Sequence, residues 1–154
     1  MSGRVFLVVV DESLEFQIAM QYAAERARAV GGRVAFLGVV EQQGIETWSG
    51  VERALDDEAF DRVRAVVAAH EKTVEAITGF KPLTYYYKGE TRSVLIELID
   101  EEPDVSTLVL AAQTGENAHN TLIQYLTSDK GIRKLKIPLI IVPDTCRCLE
   151  TAQE

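Results

Sequence analysis

The chain has 154 residues, of which 47% are hydrophobic, and a formal net charge of −8 at pH 7. This length and composition are typical of one folded domain and exclude a disordered chain. The acidic balance disfavours nucleic acid and anionic membranes as partners, because both would repel it. No apolar run approaches the roughly 20 residues of a membrane-spanning helix. Acidic residues follow the short run Val5–Val10 at once, which is not typical of a secretory signal, so we expect a cytoplasmic protein.

Five short, nearly continuous apolar runs predict five β-strands. Continuous rather than alternating hydrophobicity is typical of strands that are buried on both faces of a parallel sheet. The predicted strands are Arg4–Val10, Val34–Val40, Leu83–Tyr87, Thr107–Ala111 and Pro138–Val142.

Between these strands, apolar residues recur at helical spacing. Ser13 is a predicted cap for the first helix, which ends at Gly31-Gly32. The following three helices are predicted over Val51–Thr78, Ser93–Glu101 and Thr121–Leu135. In the last of them Ser128 is a candidate second cap and Gly131 a weak point. Trp48 lies in the polar loop before the second helix, where packing over the core edge is the usual role.

Strands that alternate with helices predict an α/β fold with parallel pairing and right-handed crossovers. We expect a doubly wound, Rossmann-like sheet of five strands in the order 3-2-1-4-5, with helices on both faces. One domain is predicted over residues 1–143 and a disordered tail over residues 144–154. Ligands of such sheets bind beyond the carboxyl ends of the strands, where the winding reverses. Here the loops after Val10, Val40 and Ala111 form that crevice.

The last strand places four consecutive apolar residues, Leu139, Ile140, Ile141 and Val142, at a predicted sheet edge. A long apolar edge favours association with other strands unless something covers it. Pairing with a second copy across a two-fold axis would cover it. We therefore expect a homodimer through this strand.

Residues that could carry catalysis or bind a metal are sparse. Cys146 and Cys148 lie in the predicted tail, and we interpret them as incidental thiols, because a structural zinc needs about four ligands. His70 falls on the apolar stripe of the second helix and is interpreted as a packing residue. His119 lies in the loop beside the crevice, where a solvent-exposed role is commoner than proton transfer. We predict no catalytic residues and no metal site.

Charged residues in the predicted crevice loops are mostly acidic, which disfavours a triphosphate unless Mg²⁺ or helix N-termini offset the charge. The acids are Asp11, Glu12, Glu41, Glu46, Glu90 and Glu116, and the bases are Lys88 and Arg92. A separate basic group, Lys130, Arg133, Lys134 and Lys136, is interpreted as a solvated face of the last helix.

Over roughly residues 4–143 the chain resembles the universal stress protein (UspA) family. The resemblance rests on the opening Val-Val-Val-Asp-Glu-Ser, on the element order and on the C-terminal third. There the family has a strand, Gly-x2-Gly-x9-Gly-Ser/Thr, a helix and a strand led by proline. The segment from Thr107 to Gly115, Tyr125-Leu126 and Pro138 fall on this pattern without a gap.

The resemblance implies a nucleotide site whose nucleoside half is retained and whose phosphate half is degraded. Asp11 matches the acidic residue that resembles a ribose acceptor, and Val39 matches a position near the adenine edge. The four motif positions hold Ala112, Gly115, Tyr125 and Leu126, so only Gly115 matches. In ATP-binding members the glycines let backbone N–H groups approach the phosphates. Thr127 and Ser128 are hydroxyls just beyond the motif that could partly substitute.

Two functions remain open after this comparison. In the first, the chain is a non-catalytic, dimeric stress-response domain without a tightly bound cofactor, which acts through a partner protein or an unidentified small ligand. In the second, it binds ATP, ADP or AMP through Asp11, Val39 and Gly115, with at most slow hydrolysis. An enzyme of a related adenine-nucleotide superfamily is disfavoured, because Asp11-Glu-Ser-Leu replaces the Ser-Gly-Gly-rich loop.

Overall fold

The computed structural model describes residues 4–41 and 49–147. Its elements are β1 (Val5–Val9), α1 (Leu14–Val30), β2 (Arg33–Val40), α2 (Ser49–Thr78), β3 (Leu83–Lys88), α3 (Thr91–Glu101), β4 (Val105–Ala112), α4 (Thr121–Thr127), α5 (Asp129–Leu135) and β5 (Leu139–Pro143). The five strands form one parallel sheet in the order β3-β2-β1-β4-β5. The predicted fold and strand order are confirmed. Trp48, Glu46 and Cys148 lie outside the described residues.

The sheet separates two apolar cores because successive side chains of a strand point to opposite faces. On β1, Phe6 and Val8 belong to the first core, which α1 and α2 cover. Leu7 points the other way into the second core, which α3, α4 and α5 cover. Helices therefore lie on both faces, as predicted. None of the helices in the described ranges is long and apolar enough to cross a membrane.

The ends of α1 follow the capping signals in the sequence. Ser13 has an extended backbone, and its hydroxyl accepts a hydrogen bond of 3.2 Å from the backbone N–H of Phe16. Gly31 ends the helix with a φ of 70°, a left-handed conformation that glycine adopts without steric cost. The Ser13 cap fixes the first turn of α1 at the carboxyl edge of the sheet.

The prediction of one helix over Thr121–Leu135 is wrong, because the segment forms two short helices, but they meet at Ser128, where the predicted second cap is confirmed. The Ser128 backbone is extended, its hydroxyl donates to the Tyr125 carbonyl at 2.5 Å, and it accepts from the Gly131 N–H at 3.1 Å. Serine interrupts helices in this way because its side chain competes for backbone partners. Gly131, expected to be a weak point, is buried where α5 passes close to α4.

The pairing of β1 with β4 contains one irregularity at the amino end of the strands. Val5 pairs with Val105, whereas Phe6 pairs with Thr107, so Ser106 is an extra residue on β4. The hydroxyl of Ser106 donates a hydrogen bond of 3.3 Å to the Val5 carbonyl. This arrangement has the residue count of a β-bulge, in which two residues of one strand oppose one of its partner.

Candidate functional site

A cleft of about 220 Å³ opens at the carboxyl end of the sheet between β1 and β4. These two strands lie where the strand order reverses, which is the position where doubly wound folds bind ligands. The floor of the cleft is apolar and includes Val8, Val109 and Ala111. The polar residues of its rim come from the loops after the two strands and from the adjoining helix starts; they include Asp11, Ser13, Glu15, Gln113, His119 and Asn120.

The charge of the rim is negative. Asp11 and Glu15 contribute carboxylates, and among the described lining residues there is no lysine or arginine. His119 is exposed and supplies the one imidazole of the described lining. A rim of this composition favours a neutral or cationic ligand over an anion, because nearby charges of opposite sign attract and charges of like sign repel.

Asp11 is held in place by the cap of α1. Its Oδ1 accepts a hydrogen bond of 2.7 Å from the Ser13 N–H and a second, short one from the Ser13 hydroxyl. The Ser13 hydroxyl in turn accepts from the Phe16 N–H. The position of this carboxylate therefore follows from the local sequence, since an aspartate two residues before a serine cap closes the turn into the helix.

The loop after β4, residues 113–120, is closed by its own side chains. Asn120 Oδ1 accepts from the Gln113 N–H at 2.8 Å, and Asn120 Nδ2 donates to the Gln113 carbonyl at 3.2 Å. Gln113 Oε1 accepts from the His119 N–H at 3.3 Å. The two ends of the loop are thus joined by amide groups, and two of its backbone donors already have acceptors.

A third backbone donor of this loop is bound by the residue that directly follows β5. The carboxylate of Asp144 accepts a hydrogen bond of 3.0 Å from the Thr114 N–H and one of 2.6 Å from the Thr114 hydroxyl. These two bonds lower the pKa of Asp144 below its ordinary value. The Asp144 N–H donates to the Ala112 carbonyl at 3.0 Å, which continues the pairing of β4 with β5. Asp144, assigned to the tail by the sequence analysis, therefore belongs structurally to the loop of the cleft.

Three other candidate residues lie at the same edge of the sheet but outside the lining of the cleft. Val39 packs against the second core, on the same face as Val9. Ala112 ends β4 and is half-buried. Gly115 is exposed in the loop with a φ of 120°, a conformation that favours glycine.

Tyr125 and Leu126, the residues at the later glycine and serine of the motif, take part in packing. The Arg92 guanidinium lies 4.9 Å from the centre of the Tyr125 ring, and Arg92 is hydrogen-bonded to Glu90. Leu126 is completely buried in the second core. Neither side chain lines the cleft.

The two hydroxyls that follow the motif donate to their own helix. Thr127 Oγ1 donates to the Ile123 carbonyl at 2.8 Å, and Ser128 Oγ donates to the Tyr125 carbonyl. Ser128 also caps α5, as described above. Neither residue lines the cleft, and both hydroxyls serve the break between α4 and α5.

The eight charged residues that were predicted in the crevice loops lie only partly at the cleft. Of those eight residues, Asp11 alone lines the cleft in the described part of the chain, and Glu15, which was not predicted, joins it. Glu90 and Arg92 pair with each other, and Glu41 accepts from the Thr91 hydroxyl at 2.9 Å. The position of Glu15, in the first turn of a helix that starts at the crevice, is the signal that could have identified it.

The other reactive side chains in the described part of the chain offer no additional centre. The His70 ring packs edge-on against Phe16 with 5.4 Å between ring centres, in agreement with a packing role. Cys146 is disulfide-bonded, so its interpretation as an incidental thiol is wrong. Residues 4–41 and 49–147 contain no group of three His, Cys, Asp or Glu side chains that could hold a metal ion.

The fold and the cleft together define a doubly wound α/β domain with a small opening at its switch point. The sequence profile described as "Universal stress protein family" matches residues 3–143. The chain belongs to the universal stress protein family. No curated protein sequence matches it.

Solved structures of the same fold include members of this family with and without nucleotides in their descriptions. The universal stress protein UspA from Lactobacillus plantarum is 18% identical, with a TM-score of 0.74 over 90% of this chain and 96% of its own. A universal stress protein in complex with cAMP is 17% identical, with a TM-score of 0.57 over 92% and 98%. A family protein from Arabidopsis thaliana with AMP bound is 13% identical, with a TM-score of 0.57 over 96% and 94%.

Proposed function

We propose that this universal stress protein is a non-catalytic, dimeric, cytoplasmic regulatory domain that does not bind ATP tightly. The observation that carries the proposal is the closed loop after β4. The backbone N–H groups of Gln113, Thr114 and His119 already donate to Asn120, Asp144 and Gln113. Phosphates bind to loops of this kind through free backbone donors, so each occupied donor weakens the site.

The size and charge of the cleft support the same proposal. Its volume of about 220 Å³ lies below the roughly 300 Å³ at which pockets for drug-sized ligands begin. Asp11 and Glu15 would repel the phosphates of ATP, and no lysine or arginine of the described lining offsets them. The ligand class that fits best is therefore a small neutral or cationic molecule. The alternative is that the domain acts by binding a partner protein.

The absence of catalysis is part of the proposal and is supported by how three of the rim side chains are used. The Ser13 hydroxyl caps α1 and binds Asp11, while Gln113 and Asn120 bind each other. A nucleophile needs a base that is free to take its proton. Side chains that hold the backbone in shape are poorly placed for that task.

A second candidate function is reversible binding of a nucleoside or a nucleoside monophosphate. It is favoured by the position of Asp11, which lies at the rim where a ribose hydroxyl could donate to it. It is also in keeping with the related structures that are described with cAMP and with AMP. Such binding would rely on the base and ribose rather than on a polyphosphate.

The dimer is proposed through β5, which lies at the edge of the sheet. Leu139 and Ile140 are half-buried and Ile141 is 43% exposed, whereas Val142 is buried in the first core. Apolar side chains on an open edge strand favour pairing with another strand. A second copy related by a two-fold axis offers the same edge.

Calorimetric titration of the purified protein with ATP·Mg²⁺, AMP and adenosine tests the proposed function. We expect no binding of ATP in the low micromolar range and no release of phosphate from it. Tight binding of ATP would overturn the main proposal, and binding of AMP or adenosine alone would establish the second candidate. Native mass spectrometry of the same sample reports the oligomer and any ligand that co-purifies.

A further inference from the structure

Thr114 and Asp144 form a contact that resembles the binding of an anion. A backbone N–H and a hydroxyl of one residue converge on the two oxygens of one carboxylate, at 3.0 Å and 2.6 Å. Two donors that converge on a pair of negatively charged oxygens are what a loop offers to a phosphate. In this protein, the anion is supplied by the chain itself.

The carboxylate is positioned by the sheet. β4 and β5 are paired up to Ala112 and Pro143, and the Asp144 N–H continues that pairing to the Ala112 carbonyl. The Cys146 N–H then donates to the Pro143 carbonyl at 2.9 Å and closes a turn. The backbone is therefore held on both sides of Asp144, and its side chain reaches the loop without a change in the strand.

The contact also bears on the neighbouring cleft. Thr114 follows Gln113 directly, and Gln113 lines the cleft. A phosphate at this loop would have to displace the carboxylate of Asp144 and remain near the negative charge it displaced. Because hydrogen bonds to the charged form keep the pKa of Asp144 low, the carboxylate is ionised at neutral pH.

Building on the proposed function, we propose that Asp144 determines the ligand class of this site. Its carboxylate occupies the anion-binding position of the loop after β4, so that the protein selects ligands without a phosphate group there. Loss of phosphate binding is then caused by an internal competitor at the loop rather than by the side chains of Tyr125 and Leu126, which pack against Arg92 and in the second core.

The test is a titration with inorganic pyrophosphate, followed at the backbone amide resonance of Thr114. The wild-type protein, Asp144→Asn and Asp144→Ala are compared at neutral pH. We expect no saturable shift for the wild type, and binding at least about tenfold tighter for both variants, since each removes the competing charge. Thermal unfolding of each variant verifies that it is folded, and Asp144→Asn, which nearly keeps the shape of the side chain, serves alone if the alanine variant unfolds.

Glu25→Gln is the matched control. It removes one negative charge from a residue that pairs with Arg28, about 18 Å from Ser13 along α1 by the rise of a helix. It should behave as the wild type.

A gain in Glu25→Gln equal to that in Asp144→Asn would overturn the proposal in favour of net charge, and a folded Asp144→Asn without pyrophosphate binding would overturn it outright. Wild-type protein that binds pyrophosphate as tightly as the variants would also overturn it. The proposed function is tested separately: it fails if the wild-type protein binds ATP tightly in the calorimetric titration.

Discussion

Gly131 lies so close to Tyr125 that a Cβ atom at position 131 would be 1.9 Å from the Tyr125 carbonyl oxygen. The contact is between the backbones of two helices, so no flexible side chain can move aside. The same carbonyl accepts the hydroxyl of Ser128, whose oxygen accepts the Gly131 N–H. The junction between α4 and α5 thus depends on a residue without a side chain.

Gly131→Ala should therefore lower the free energy of unfolding by roughly 1–3 kcal/mol, the usual cost of overpacking. This range is the net change that we expect after the gain in intrinsic helix propensity of about 1 kcal/mol. Urea unfolding measures the difference. Lys130→Ala, an exposed change on the same helix, is the control and should stay within about 0.5 kcal/mol of the wild type. An alanine variant as stable as the wild type would contradict the close contact.

Leu126→Ser, a change toward the family motif, should damage the core rather than restore a phosphate site. Leu126 is fully buried in the second core, and removal of a buried leucine side chain costs about 2–5 kcal/mol. We expect lower stability in urea and no gain in ATP affinity by calorimetry, because the loop donors remain occupied.

Tyr125→Gly separates the two motif positions. It removes the ring that contacts Arg92 and places glycine inside α4, each at a cost of about 1 kcal/mol. The double variant Tyr125→Gly/Leu126→Ser should unfold more easily than either single variant. If the folded double variant acquires ATP binding, then these side chains, and not the loop after β4, close the site.

The contribution of Asp144 to stability should depend on pH. Its pKa is below the ordinary value in the folded protein, because Thr114 donates to the charged form. A group of this kind stabilises the fold above its unfolded pKa of about 3.9, and the stabilisation is lost as the pH falls through the folded pKa. Asp144→Asn should therefore be less stable than the wild type at neutral pH, with a difference that disappears in acid. Urea midpoints over a pH series measure it, and an equal difference at every pH would contradict the assignment.

Ile141→Lys should convert the proposed dimer into a monomer. The side chain is exposed on the edge strand β5, and a lysine there would place like charges against each other across the two-fold axis. Sedimentation measures the mass. Ile132→Lys on α5 is the matched control, since Ile132 is also an exposed isoleucine. A wild-type protein that sediments as a monomer at micromolar concentration would refute the dimer.

The arrangement of the sheet was predictable because each strand carries its own signal. Continuous apolar runs such as Val34–Val40 indicated strands buried on both faces, and the alternation with helices then fixed parallel pairing. The position of the cleft followed from the order of the strands, without knowledge of any ligand. Asp11 was identified for the same reason, because it directly follows the first predicted strand.

The loop contacts of the cleft could not be predicted in this way. Thr114 and Asp144 are 30 residues apart, and the contact depends on the pairing of β4 with β5 beyond Pro143. Gln113 and Asn120 are seven residues apart in a loop that has no periodicity. The burial of Leu126 was missed because this residue was interpreted through the motif position of the phosphate site rather than through the packing of α4.

The extra residue at Ser106 places Val105 and Leu108 on the same face of β4. Val105 and Leu108 both point into the second core although three positions separate them, which an unbroken alternation would forbid. Regular alternation from Val105 would place Leu108 on the other face of the sheet. Because Ser106 is an extra residue, Leu108 lies on the same face as Val105, and the rest of β4 alternates from there. Deletion of this one serine would place Val105, Thr107 and Leu108 in unbroken alternation, so Val109 and Leu110 would keep their present faces and the cleft at the opposite edge of the sheet would keep its floor.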